Sequence, residues 1–90
     1  MAITTTTYEV GFEVGSGIFS VNMIDAHVPE QHKEAAIREF AEKRAAHYQK
    51  RVAYIRPLAA CEVQERARKG MPWYALDEAT KAKFGGNDDV

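Results

Sequence analysis

The residue types that could perform chemistry are scattered along the chain, and the histidines show this first. His27 and His32 lie five positions apart, and His47 follows fifteen positions later. Zinc-binding helices place their histidines at closer, fixed spacings such as H-E-x-x-H, which this sequence lacks. Asp25 could join His27 and His32 at the start of a helix, but surface histidines are far more common than such a cluster. We therefore expect no bound metal.

The only cysteine, Cys61, is the one candidate thiol nucleophile. Nucleophilic catalysis needs a base within hydrogen-bond reach and an oxyanion donor, and no local signature for either accompanies Cys61. A lone cysteine beside alanines is more often a small buried residue. A single cysteine also excludes an intramolecular disulfide and a cysteine zinc site within one chain, which favours a reducing compartment.

Glycines and paired carboxylates also fall short of a catalytic pattern. Gly11, Gly15 and Gly17 lie in and after a strand that leads into another strand, so no helix N-terminus is there to receive a phosphate. Glu9 and Glu13 share the outward face of that strand and are interpreted as solubilising charges. We therefore expect a protein that is not an enzyme and that has no cofactor.

The cations cluster in one stretch of the sequence. No acidic residue lies between Glu42 and Glu62, whereas that stretch holds five cations. They are Lys43, Arg44, Lys50, Arg51 and Arg56. Interleaved aromatic residues, Tyr48 and Tyr54, would suit phosphates and stacked bases. A small nucleic-acid-binding module using residues 43–56 is therefore the alternative function, although a net charge of −1 and a pI near 6.3 argue against it.

Two alternating stretches, 8–14 and 18–24, predict a β-hairpin that would form the first part of a sheet. The register depends on the loop between them. An even-numbered loop gives the apolar pairs Val14–Phe19, Phe12–Val21 and Val10–Met23. A three-residue loop would instead place Phe12 beside Ser20 and Val10 beside Asn22. Because a slip of one residue moves every side chain to the other face, the apolar pattern predicts the even loop and a mostly polar second face.

A long amphipathic helix is predicted to follow the hairpin. Pro29 suits its first turn, and the helix is expected to end near His47–Gln49, with cationic residues in its last turns matching the negative pole of the helix dipole. The face expected to cover the hairpin is formed by Ile37, Phe40, Ala41, Ala45 and Tyr48. After it, residues 51–55 read as a third strand, with Val52 and Tyr54 on one side and Ala53 and Ile55 on the other.

The remainder of the chain is less regular. Residues 58–69 could form a helix or a fourth strand, and their composition favours the helix. Trp73 either folds back onto the edge of the core or serves as an exposed anchor. A terminal turn of helix is predicted near 77–84, and 85–90 is expected to be a flexible acidic tail. The predicted fold is one α+β domain over 1–84: a small antiparallel sheet in ββαβ order, one long helix packed on it and a C-terminal helix.

Two stretches, TTYEVGFEVGSGIFSVNMIDA and KEAAIREFAEKRAAHYQ, resemble in style the small accessory proteins of bacteriophages and other mobile elements. Many of these pair an alternating hairpin with one amphipathic helix. The resemblance implies a binding protein that modulates or inhibits a host or defence factor in the host cytoplasm. It carries over no functional residue.

We therefore expect a non-enzymatic protein–protein interaction module. The expected contact residues are Arg44, Lys50, Arg51, Arg56, Trp73 and Tyr74. Because a helix on a two-stranded hairpin is usually insufficient for stability, a homodimer is also considered. No apolar run approaches the ~20 residues of a membrane span, so we expect no membrane partner.

Overall fold

A computed structural model describes residues 3–85, which form a mixed four-stranded sheet with three α-helices. The elements are β1 (Ile3–Gly15), β2 (Ile18–Pro29), α1 (Lys33–His47), β3 (Arg51–Pro57), α2 (Ala60–Arg68), β4 (Trp73–Ala75) and α3 (Glu78–Lys83). The strand order is β3-β1-β2-β4, with β1 antiparallel to both neighbours and β4 parallel to β2. The predicted α+β fold with one long helix and a C-terminal helix is confirmed, and β4 makes the sheet mixed instead of purely antiparallel. Of the tail predicted at 85–90, all but Gly85 lies outside the described residues.

The predicted hairpin register is wrong. Gly15 pairs with Ile18 across a two-residue turn, but Val14 is an extra residue without a partner in β2, so the pairing shifts by one. Phe12 therefore pairs with Ser20, and Val10 pairs with Asn22. The predicted even loop, of two residues, is present, but the bulge at Val14, just before the loop, shifts the pairing of the two strands by one residue.

The apolar alternation predicted the wrong register because both faces of the sheet bury apolar side chains. We call the face covered by α1 the front face and the opposite face the back face. Met23 and Ile24 are neighbours in β2 and are both fully buried, Ile24 in the core under α1 and Met23 on the back face beside Trp73. The alternation through Phe19, Val21 and Met23 thus marks the back face of β2, whereas its front face continues as Ile24, Ala26 and Val28.

The core lies between α1 and the front face. The sheet contributes Tyr8, Val10, Phe12, Ile24, Ala26 and Val28, and α1 contributes Ala36, Ile37, Phe40, Ala41 and Ala45. Leu76, next to β4, joins the same cluster. Tyr48 was expected on this face, but it lies just beyond the end of α1 and is 53% exposed.

A second bulge places both large apolar residues of β3 against the core. Gly11 pairs with Tyr54 and Phe12 pairs with Val52, so Ala53 is the extra residue. Val52 and Ile55 therefore both pack against the core, and Tyr54 lies over Gly11 on the back face. The predicted grouping of Val52 with Tyr54 is wrong for this reason.

Lys33 fixes the start of α1 to the sheet. Its side chain is fully buried, and its ammonium group donates hydrogen bonds to the carbonyl of Val28 at 2.7 Å and to the hydroxyl and carbonyl of Thr4. Burial lowers the pKa of Lys33 from its ordinary value. These contacts join β1, β2 and α1 at one end of the hairpin.

Residues 60–68 form a helix, α2, on the back face. None of its side chains is fully buried, and Cys61 on it is exposed, so the expected burial of the cysteine is wrong. The helix is held mainly by polar contacts between Arg66 and Glu9 of β1. The back face is therefore partly covered by α2. The second face that the sequence predicted to be mostly polar and solvent-facing is, in β2, the front face, where Asn22 and Ile24 are buried, so that prediction is wrong.

Candidate functional site

The edge of β2 is only partly covered by β4. The parallel pairing extends over Met23–Asp25, so among residues 3–85 no strand lies against Ile18–Asn22 on this side. The Met23 amide donates to the Pro72 carbonyl at 2.8 Å, and the Asp25 carbonyl accepts from Leu76 at 3.3 Å. Because backbone groups alternate in direction along a strand, Phe19 and Val21 direct their N–H and C=O groups toward the same side, where none of the described strands receives them. We call Ile18–Asn22 the open edge.

Large apolar side chains are exposed next to this edge. Ile18 is 60% exposed and Phe19 is 53% exposed, and Val14, at the bulge beside them, is 43% exposed. Scattered exposed apolar residues are ordinary, but three together at the end of one hairpin form a patch. The open edge therefore offers unpaired backbone groups and apolar side chains at the same place.

A pocket of about 340 Å³ adjoins the open edge on the front face. Its floor is formed by Phe12 of β1 and by Ser20 and Asn22 of β2. Its walls are Arg44, Tyr48, Lys50, Pro72 and Tyr74. We call it the α1/β4 pocket, because the end of α1 and β4 enclose it.

The two cations of the α1/β4 pocket are held over aromatic rings. The Arg44 guanidinium carbon lies 4.2 Å from the centre of the Tyr74 ring and 5.4 Å from that of Tyr48. The Lys50 ammonium lies 5.4 Å from the centre of the Tyr48 ring and 6.0 Å from that of Phe12. Such contacts orient a cation without neutralising its charge.

No carboxylate among residues 3–85 pairs with these two cations. Eight other lysines and arginines form ion pairs, namely Arg38, Lys43, Arg51, Arg56, Arg66, Lys69, Lys81 and Lys83. Within the described part of the chain, neither Arg44 nor Lys50 has a carboxylate within 4.0 Å. Apart from the buried Lys33, whose described partners are carbonyl and hydroxyl oxygens, the positive charge that no described carboxylate balances on the front face therefore lies in the α1/β4 pocket.

The structure separates the six residues that the sequence selected as contact residues. Arg44, Lys50 and Tyr74 meet in the α1/β4 pocket. Arg51 pairs with Glu13, and Arg56 pairs with Glu62 at 3.1 Å on the side of α2. Trp73 is 49% exposed, and its indole N–H donates to Asp25 at 2.8 Å, so it is neither fully folded into the core nor free.

A polar network on the back face takes up most of the remaining charge. Glu9 is only 7% exposed and accepts hydrogen bonds from the Tyr54 hydroxyl at 2.7 Å and from Arg66. Arg56 lies 3.7 Å from the same carboxylate and also pairs with Glu62, whose carboxylate accepts from the Ala59 amide at 3.0 Å. We call Glu9, Tyr54, Arg56, Glu62 and Arg66 the Glu9 network.

The network shifts the pKa of its members in ways that follow from these contacts. Burial alone would raise the pKa of Glu9, but the hydrogen bonds from Tyr54 and Arg66 and the charges of both arginines outweigh it, so the pKa lies below 4.5. Burial, together with the hydrogen bond to Glu9 and its negative charge, raises the pKa of Tyr54 to about 12. The network is fully occupied by its own contacts, so it serves to hold α2 to the sheet.

Within 3–85, no three side chains of His, Cys, Asp or Glu lie close enough to hold one metal ion. None of the helices in that same range is both long and apolar enough to cross a membrane. Comparison with known proteins finds no match to this chain among family models, curated proteins or solved structures.

Several residues of these surfaces were missed from the sequence. The sequence pattern assigned Phe19 and Val21 to the core face, so neither was considered for binding. Tyr48 was also assigned to the core face of α1 and was considered only for stacking on nucleic-acid bases. Ser20 and Asn22 offered a signal, because two polar residues at alternate positions of an otherwise apolar strand indicate a face that is not fully packed. The location of β4 beside only part of β2 had no such signal.

Proposed function

We propose that this protein is a non-enzymatic interaction module that binds another protein through the open edge of β2. The observation that carries the proposal is the short pairing of β4, which covers Met23–Asp25 and leaves the backbone groups of Phe19 and Val21 facing outward. An uncovered strand edge is a template for pairing with another chain. In this mode an extended segment adds as a strand, and main-chain hydrogen bonds supply the affinity.

Side chains flanking the open edge would provide specificity. Phe19 and Val21 lie on the back face, where exposed apolar surface favours apolar side chains of the partner. Ser20 and Asn22 lie on the front face and form part of the pocket floor. A segment added here would therefore meet an apolar surface on one side and a polar, cationic one on the other.

The alternative function, nucleic-acid binding by residues 43–56, has less support from the geometry. Arg51 and Arg56 are occupied by Glu13, Glu9 and Glu62. Nucleic-acid backbones require a track of several unpaired cations, and in this region only Arg44 and Lys50 lack an ion pair with a carboxylate of residues 3–85. Following the resemblance to phage accessory proteins, the partner on our proposal is a host or defence protein in the cytoplasm.

The test is a peptide-display selection against the immobilised protein, repeated with Val21→Pro. Proline removes the Val21 N–H, which points away from β1, so the fold should remain. The added strand should lose one hydrogen bond, and the proline ring should prevent it from lying close to β2. We expect selected peptides to bind the wild type and to lose at least about tenfold in affinity toward Val21→Pro. Ser20→Pro is the contrasting variant, since its N–H faces β1 and its loss should destabilise the hairpin.

Two results would contradict the proposal. Peptides that bind Val21→Pro as tightly as the wild type would place recognition away from the open edge. A free protein that sediments as a dimer, and that Val21→Pro converts to a monomer, would show that a second copy occupies the edge instead of a different protein.

A further inference from the structure

We infer that the α1/β4 pocket binds a carboxylate side chain carried by the segment that adds to β2. The inference rests on the proposed function for the source of the carboxylate, since the pocket and the open edge share the residues Ser20 and Asn22. Alternate side chains of an added strand point to the front face. A front-face side chain that lies beside Ser20 and Asn22 would therefore be at the mouth of this pocket.

The pocket is organised for an anion before any ligand arrives. The Arg44 guanidinium contacts the rings of both Tyr48 and Tyr74, and Lys50 lies near Tyr48. Fixing a guanidinium on an aromatic face reduces the rotamer freedom that binding would otherwise remove. The Asn22 side chain, 7% exposed on the floor, adds an amide that can donate to a bound oxygen.

The number of cations selects a single anionic group. Two cations that pair with no described carboxylate line one concave site, and the neighbouring Arg51 and Arg56 are neutralised by carboxylates. A guanidinium matches a carboxylate with two parallel hydrogen bonds, and an adjacent ammonium strengthens the same contact. A single-stranded nucleic acid would instead need cations continuing beyond the pocket.

The carboxylate must come from a chain other than a second copy paired at the same edge. The open edge itself reads Ile18-Phe19-Ser20-Val21-Asn22 and contains no acidic residue. A symmetric pairing of two open edges would therefore place no carboxylate in either pocket. The partner to which the inference commits is an extended acidic segment of a different protein.

The test uses two peptides that differ in one side-chain group, which is a carboxylate in one peptide and a neutral amide in the other. Each is a five-residue alternation of threonine and valine with blocked ends, one with a central glutamate and one with a central glutamine. Binding is followed in nitrogen–proton NMR spectra at the backbone amides of the open edge and at the Arg44 side chain. We expect the glutamate peptide to bind roughly tenfold more tightly at low salt, with shifts at both places.

Variants assign this preference to the pocket. Arg44→Gln and Lys50→Gln should each reduce the preference for glutamate, and together they should abolish it while the glutamine peptide binds as before. Arg68→Gln is the matched control, because Arg68 is exposed on α2 and also has no carboxylate within 4.0 Å among the described residues. It should leave the preference unchanged.

Butyrate, a single carboxylate without a peptide backbone, separates this inference from the proposed function. Shifts at Arg44 with butyrate but not with its neutral amide, with no peptide binding at the edge, would retain the pocket and remove strand addition. Equal binding of both peptides at the edge would retain strand addition and overturn the pocket. Absence of shifts at Arg44 with every probe would overturn the inference, as would a short oligothymidine that binds the pocket more tightly than the glutamate peptide.

Discussion

Gly11 shows at the scale of one residue how the back face is assembled. A Cβ atom at this position would lie 2.2 Å from Cε1 of Tyr54, so only glycine lets the ring lie over β1. The ring is held there by the hydrogen bond from its hydroxyl to Glu9. The requirement comes from a cross-strand contact in space and not from the backbone conformation of Gly11.

Substitution of Gly11 by alanine should therefore be destabilising. We expect Gly11→Ala to lower the free energy of unfolding by about 1–3 kcal/mol, because the Tyr54 ring must move and its hydrogen bond to Glu9 weakens. Urea denaturation measures this change, and the ultraviolet titration of Tyr54 should show its pKa falling from about 12.

Two comparisons make this prediction specific. In a Tyr54→Ala background, Gly11→Ala should cost less than in the wild type, as a double-mutant cycle would show. Gly15→Ala should be tolerated, since the nearest atom to its added Cβ, on Ile18, lies 3.7 Å away. Equal effects of Gly11→Ala in both backgrounds would mean that the ring is not the obstacle.

At the scale of elements, α2 differs from α1 in how it is held. Five hydrophobic residues of α1 are buried, whereas α2 has no buried residue and is attached by the Glu9 network. The pKa of Glu62 is also lowered, first by its hydrogen bond from the Ala59 amide and then by Arg56. Attachment of α2 therefore depends on two carboxylates remaining ionised.

The sign of the pH dependence follows from these lowered pKa values. Near pH 4.5 the unfolded chain binds protons at these carboxylates before the folded protein does, so stability falls as the pH decreases below that value. The contribution is fully present at neutral pH. Acid should therefore weaken the attachment of α2 before it affects the α1 core.

Glu9→Gln tests this account of the network. We expect it to lower the free energy of unfolding at neutral pH by about 1–3 kcal/mol. The reason is that a neutral amide oxygen accepts weaker hydrogen bonds from Tyr54 and Arg66 than the buried Glu9 carboxylate does. Urea denaturation between about pH 7 and about pH 3 should then show a smaller loss of stability for the variant than for the wild type. Glu65→Gln, on an exposed pair with Lys69, should change little. Parallel pH profiles for Glu9→Gln and the wild type would contradict the role given to Glu9.

At the scale of the whole molecule, the elements were predictable and their arrangement was only partly so. The period of the apolar residues predicted both hairpin strands, α1 and β3, because each must bury one face or stripe. The predicted register was wrong because Val14 and Ala53 form bulges and because Met23 and Ile24 are buried on opposite faces of the sheet. Local patterns cannot predict a bulge whose cause is packing on the second face.

Charge shows the same limit. The stretch from Lys43 to Arg56 reads as one basic patch, yet Arg51 pairs with Glu13, which is 38 positions away in the sequence. Only the fold reveals which cations are neutralised and which, like Arg44 and Lys50, remain unpaired in a pocket. The candidate site is therefore a property of the topology, and β4, three residues long, determines where it lies.

The central claim, that the open edge of β2 receives an added strand, is tested most directly by amide hydrogen exchange on the wild-type protein. The free protein should exchange the Phe19 and Val21 amides rapidly, whereas the Ser20 and Asn22 amides, which face β1, should exchange slowly. A saturating amount of a selected peptide should protect Phe19 and Val21 specifically. Slow exchange of Phe19 and Val21 in the free protein, or peptide-induced protection elsewhere without any at these two amides, would contradict the account.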